Sequence, residues 1–223
     1  MKIRWEESLF FDPNKKANQM IIIHHTGSKN GKINSLDGTI SWFKPEPWRD
    51  TDKVSAQYII PREEQDIIQM VRDEHTAYHA GSSSWRINGT LYYDLNNRSI
   101  GIELQGDGNL IEYSKFQYEA LIWLTRQKME EFNIPVELVQ GHEHISPGRK
   151  VDPGRLFDWK YFREEITAKS YHDVPDLDPY NPPPVYDGPQ LDPYEEENDV
   201  RIPPGENKPV FTRIFEFIAS LFR

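Results

Sequence analysis

An α/β fold is predicted for this chain, followed by a proline- and acid-rich C-terminal extension that ends in an amphipathic helix. Three stretches carry that reading. Met20-Ile21-Ile22-Ile23 is an unbroken apolar run, largely β-branched, closed by Gly27, the pattern of a buried central strand. Ser99–Leu104 alternates, with Ile100, Ile102 and Leu104 on one face and Gly101 and Glu103 on the other, a second strand. Ser114–Asn133 is the clearest helix: Ser114 and Gln117 make a capping box, and Tyr118, Leu121, Ile122, Thr125, Met129 and Phe132 form one stripe at helical spacing.

Composition bounds the rest. The chain has 223 residues, enough for one core. Its apolar fraction is 37%, below the usual range, so part of it lies outside any core. A net charge of −10 argues against nucleic acid, or an anionic membrane, as partner of the whole molecule. There is no cysteine, hence no disulfide. No apolar stretch is long enough to span a bilayer. At the N-terminus, Glu6, Glu7 and Asp12 stand where a signal peptide needs an apolar run. The expectation is a product made in the cytoplasm, which needs a separate release route to act outside it.

Taken in order, 1–18 is a polar arm with a small apolar cluster, Leu9, Phe10 and Phe11. The Met20 strand delivers His24 and His25 where strand becomes loop, a common place for chemistry. One buried and one exposed histidine would explain them equally well. A helical patch follows near Leu36–Phe43, then a Pro-Glu-Pro-Trp turn at 45–48. Val54–Pro61 reads as a strand. Ile67–Val71 fits strand or helical turn. Tyr78-His79-Ala80-Gly81 leads to Trp85, and His79 is either a pocket wall or a loop histidine. Asn96-Asn97-Arg98 is a turn. Val136–Val139 reads as a short strand and Phe157–Ile166 as a closing helix.

Composition changes after Ser170. Residues 170–208 hold ten acidic and two basic residues, a net of −8 out of −10, with many prolines and a partial repeat, LDPYNPPP and LDPYEEEN. Such a segment cannot bury enough apolar surface to fold alone and reads as a semi-rigid spacer, or as a tail wrapping the first domain. In 209–223, Phe211, Ile214, Phe215, Ile218, Leu221 and Phe222 form a helical stripe. It suits a helix docked on protein or one lying in a membrane surface. The domains are therefore 1–169, a linker 170–208 and a helix 209–223.

The chemistry concentrates in Gly141–Asp158, GHEHISPGRKVDPGRLFD. His142, His144 and Asp152 are imidazole and carboxylate donors, with Lys150 beside them; a charged surface loop is the plain alternative. With His24 from the strand end, His142 and Asp152 would give two nitrogens and one oxygen, leaving a fourth position for water, as in catalytic zinc sites. Bound zinc lowers the pKa of water towards about 7. Glu103, if its face borders the site, can take the water's proton. Lys150 can stabilise the oxyanion formed on an attacked carbonyl.

In order and spacing, IIIHHTG, VSAQYII, YHAGSSSW, NNRSIGIELQG and GHEHISPGRKVDPGRLFDW resemble the motifs of the zinc-dependent N-acetylmuramoyl-L-alanine amidases, over about 19–165. The resemblance implies a mixed central β-sheet flanked by helices, with one catalytic zinc in a groove. It implies His24, His142 and Asp152 as ligands, Glu103 as general base and Lys150 as electrostatic partner of the intermediate. His25 and His144 fall outside the ligand positions. His79 would line the substrate groove, and Trp85 and Arg98 are expected beside it. Some relatives use a Cys where Asp152 stands. Others carry a catalytic Tyr at a position that matches Ala56, so Tyr58 is expected to be structural. The implied substrate is bacterial peptidoglycan, cleaved between N-acetylmuramic acid and L-alanine. A phage lytic endolysin is the expected setting; a cytosolic muropeptide-recycling amidase and a non-catalytic peptidoglycan-binding protein are the alternatives. Contact with a membrane surface through 209–223 fits the endolysin setting.

Overall fold

The computed structural model describes residues 1–44, 53–63 and 65–168. The turn expected at 45–48, the linker 170–208 and the helix 209–223 lie outside the described residues.

Six strands make the central sheet, in the spatial order Ile3–Trp5, Ile67–Gln69, Tyr58–Ile60, Ser99–Leu104, Met20–His25, Val139–Gly141. All neighbouring pairs are parallel except Tyr58–Ile60 with Ile67–Gln69, which is antiparallel, so the sheet is mixed. Ser99–Leu104 lies inside it, and every residue of that strand is buried. The sequence suggested one buried face and a lone Glu on the other. Both faces are covered because helices and loops close over each side, as parallel strands require.

Among the described residues four helices flank the sheet: α1 (Leu36–Trp42), α2 (Lys115–Phe132), α3 (His142–Ile145) and α4 (Trp159–Thr167). Ile40 and Phe43, at the end of α1, join Ile59, Ile68 and Met70 in one apolar cluster. The larger cluster gathers Ile21, Ile23, Ile100, Ile102 and Leu104 of the sheet with Leu121 and Leu124 of α2 and Phe162 of α4. Each such fully buried side chain contributes about 1.5–3 kcal/mol. The capping box of Ser114 and Gln117 is present. The inward face of α2 is turned relative to the expected stripe: Gln117, Ala120, Leu121, Ile122, Leu124 and Thr125 are buried, while Tyr118, Met129 and Phe132 pack at its margin. Gln117 can face inward because its amide donates to the carbonyl of Gln105.

Several expectations need correction. The arm 1–18 contributes the edge strand Ile3–Trp5, paired with Ile67–Gln69; its exposed side chains give no strand-like burial pattern to read. Val136–Leu138 is a 3-10 turn, closed by Leu138 N–H onto the carbonyl of Pro135, and the strand begins only at Val139. Of Val54–Pro61, only Tyr58–Ile60 pairs in the sheet. The preceding residues make other bonds: Ser55 N–H donates to the Tyr78 carbonyl of a loop, and the Gln57 side chain accepts from Gly101 N–H of the neighbouring strand. The ambiguous Ile67–Val71 stretch is strand at Ile67–Gln69. The last helix starts at Trp159, capped by the Asp158 carboxylate. Tyr58 has a structural place, only 1% exposed, with its hydroxyl donating to Asp73 at 2.9 Å.

Candidate active site

The parallel register sets Glu103 opposite His24 at the C-terminal ends of adjacent strands. Gly141 is the register partner of Ile23, so His142, the next residue, arrives beside the same strand end at the start of α3. Asp152 comes from the following loop. That loop is fastened at both sides: the Asp152 carbonyl accepts from Glu143 N–H, and the Pro153 carbonyl accepts from the Tyr113 hydroxyl at 2.5 Å. Gly154 has φ +101° and lies against Gly108, where an added Cβ would stand 2.5 Å from its carbonyl carbon. Only glycine permits that approach.

Three donor atoms converge. His24 Nδ1 lies 2.9 Å from His142 Nδ1 and 3.0 Å from Asp152 Oδ2, and the last two are 3.0 Å apart. All three side chains are buried, at 1%, 2% and 7% exposure. Burial pushes His24 down to about 4. Burial raises Asp152, yet its close contacts with the His142 and His24 rings outweigh that and hold it well below the usual carboxylate range. Neutral imidazole and ionised carboxylate are the forms that bind metal.

The residues present fit a zinc ion. His142 Nε2 lies 3.0 Å from the carbonyl oxygen of Ala80. A carbonyl only accepts, so Nε2 holds the proton and Nδ1 of the neutral ring is a lone pair. That lone pair faces the Asp152 carboxylate. Two acceptors at 3.0 Å repel unless a cation lies between them. A buried two-nitrogen, one-oxygen set is a catalytic zinc donor set.

Glu103 is 7% exposed and its Oε2 has no hydrogen-bond partner among the described residues. Burial pushes its carboxyl up to about 8; the Asp152 charge adds to this and Lys150 opposes it. Glu103 lines a small cavity of about 150 Å³ with His25, Thr39, Trp42 and Val54. Lys150 lines a larger one of about 450 Å³ with Lys53, Tyr78, His79, Asn96 and Arg149. These two openings give a substrate room beside the triad.

The remaining histidines sort by geometry. His79 lines the larger cavity and also bonds His24, Nδ1 to Nε2, at 3.0 Å. His25 faces Asp107 and Asn109. His144 accepts from Gly141 N–H and lies against the Trp159 ring. Neither joins the triad. Trp85 and Arg98 do not line the cavity beside Lys150. Trp85 packs on the core from the strand Ser84–Ile87. Arg98 donates to Gln19 and stacks over Tyr92 at 4.0 Å. Sequence reasoning missed Arg149, whose guanidinium bonds the carbonyls of Ala80 and Ser82, and Asn96, which looked like a turn residue. No local pattern distinguishes either.

Residues 14–155 match the family model for N-acetylmuramoyl-L-alanine amidase. The chain belongs to that family. Among curated relatives it is 38% identical over 118 residues to the 1,6-anhydro-N-acetylmuramyl-L-alanine amidase AmpD of Escherichia coli, covering 53% of this chain and 61% of that one. It is 35% identical over 162 residues to the N-acetylmuramoyl-L-alanine amidase AmiD of the same species, covering 66% and 52%. The chain thus spans about three fifths of the length of the AmpD relatives and half of AmiD. A solved AmpD structure superposes with TM-score 0.63 at 27% identity, covering 74% of this chain and 95% of that one. The amidase LysC from Clostridium intestinale, at TM-score 0.58, 20% identity and coverage of 76% and 99%, shares the fold.

Proposed function

We propose that this protein hydrolyses the amide between the lactyl group of N-acetylmuramic acid and L-alanine of a peptidoglycan stem peptide. The convergence of His24, His142 and Asp152 at the C-terminal strand ends, with a Glu103 oxygen that is unpartnered among the described residues, carries the reading. Zinc held by the triad would supply a water activated for attack. Glu103, opposite His24, takes a proton at its free Oε2 and returns it to the leaving amine of L-alanine. Lys150, whose charge reaches both Glu103 and His24, stabilises the oxyanion that develops on the substrate carbonyl. Lys53 and Arg149, in the same cavity wall, suit an acidic stem peptide.

Two settings remain distinct. Identity above one third to AmpD, a 1,6-anhydro-N-acetylmuramyl-L-alanine amidase by name, supports action on soluble anhydro-muropeptides, the recycling setting. The amphipathic stripe of 209–223 supports the lytic endolysin setting, with that stripe touching a membrane surface. Mass spectrometry of products from purified sacculi and from soluble anhydro-muropeptides tests both. Release of peptides with a free L-alanine amine is the expected outcome on at least one substrate. Turnover of the soluble fragment alone excludes the endolysin setting, and cleavage of neither substrate overturns the proposal. If vesicle co-sedimentation is unchanged after deletion of 209–223, the membrane role is excluded.

A further inference from the structure

We propose that His79 and Asn96 are positioning residues for the metal: Asn96 fixes the His79-Ala80 segment, and that segment fixes ring orientation and tautomer in both histidine ligands. This rests on the reading that the triad holds zinc.

The segment meets each ligand once. Ala80 offers its carbonyl to His142 Nε2 at 3.0 Å, and His79 offers Nδ1 to His24 Nε2 at 3.0 Å. Proton accounting settles the direction of the second contact. The Ser99 hydroxyl donates to the Leu95 carbonyl at 2.6 Å, which uses its only proton. Its oxygen can then only accept from His79 Nε2, 3.4 Å away. A neutral His79 with its proton on Nε2 has a lone pair on Nδ1. That lone pair accepts from His24 Nε2–H, and His24 Nδ1 is left as a lone pair facing the triad. Both ligands therefore present Nδ1, each because a group in one dipeptide holds the proton on Nε2.

Asn96 fastens the dipeptide. Its Oδ1 accepts from His79 N–H at 2.9 Å and from Ala80 N–H at 2.7 Å, so one side-chain oxygen holds two consecutive amides. The Ala80 carbonyl is steadied further by Arg149 Nη2 at 2.8 Å. That nitrogen also lies 3.2 Å from His142 Nε2, but its second proton goes to the nearer Ser146 Oγ at 2.7 Å, which leaves His142 Nε2 free to donate. On the sheet side, Gly101 makes room for the His79 ring: a Cβ there would stand 2.5 Å from Cγ.

The test is zinc affinity, measured by competition with a chromophoric chelator on full-length protein, with folding followed by circular dichroism. Folded Asn96→Ala and His79→Leu should each bind zinc ten- to a hundredfold more weakly. Asn96→Asp and His79→Asn, which restore an acceptor oxygen, should recover most of it. If Asn96→Ala does not fold, the His79 pair decides. Long-range 1H–15N spectra of zinc-loaded wild type should show protons on Nε2 of His24 and His142. Affinities within twofold of wild type in the folded variants, or a proton on Nδ1 of either ligand, would overturn the inference. A wild type that binds no zinc would instead overturn the metal reading beneath it.

Discussion

Glu103 and His24 are register partners on adjacent parallel strands, so the proposed general base and a proposed metal ligand lie side by side on one sheet face although they are far apart in sequence.

Glu103→Gln should keep zinc and lose a hundredfold or more in kcat. It should also change the pH dependence of stability. Glu103 binds its proton more tightly folded than unfolded, with its pKa raised from 4.5 to about 8. Between those values the folded state holds more protons, so this group lowers stability as pH rises, by up to about 1.4 kcal/mol per pH unit. Urea denaturation of metal-free protein at pH 5 and pH 8 should show wild type losing more than Glu103→Gln. Parallel losses would exclude a buried, proton-binding Glu103.

Lys150→Met should retain zinc while kcat falls by about a hundredfold or more. Because the Lys150 charge lowers the Glu103 pKa, its removal should move the acid limb of the kcat profile to higher pH. An unmoved limb would separate the two residues.

Gly101→Ala forces a methyl group into the His79 ring. A stability loss of about 1–3 kcal/mol follows from overpacking, with weaker zinc binding alongside it. Thermal unfolding and chelator competition read the two effects. If both match wild type, the His79 ring is not confined where the structure places it.

Asp73 accepts from Tyr58 and pairs with Lys128 at 2.7 Å, away from the triad. Asp73→Ala should cost about 2–4 kcal/mol by leaving buried partners unmet, with kcat unchanged. A kcat loss in folded protein would contradict the structural place given to Tyr58.

The sequence was most legible where local chemistry and pattern agree. The apolar run at Met20–Ile23, the capped helix at Ser114 and the alternation at Ser99–Leu104 all mark real elements. The three converging donors were legible as candidates because imidazoles and carboxylates gather at the strand end and in the glycine-rich loop, and the family resemblance singled them out from His25 and His144. What escaped depends on contacts between distant residues. The edge strand Ile3–Trp5 is exposed and exists through its pairing with Ile67–Gln69. The turn at Val136–Leu138 is closed by a backbone bond to Pro135, which β-branched composition does not reveal. The bond of His79 to His24 was not legible because it spans 55 positions, although the place of His79 in a cavity wall was expected. Asn96 gave only a turn signal, since its role lies in two amides on another loop.

The account stands most directly on zinc content. Elemental analysis of dialysed full-length protein should give about one zinc per chain for wild type and close to none for Asp152→Ala, with circular dichroism showing both folded. A wild type without zinc, or an Asp152→Ala variant that keeps a full equivalent, would contradict the assignment of His24, His142 and Asp152 as the metal centre.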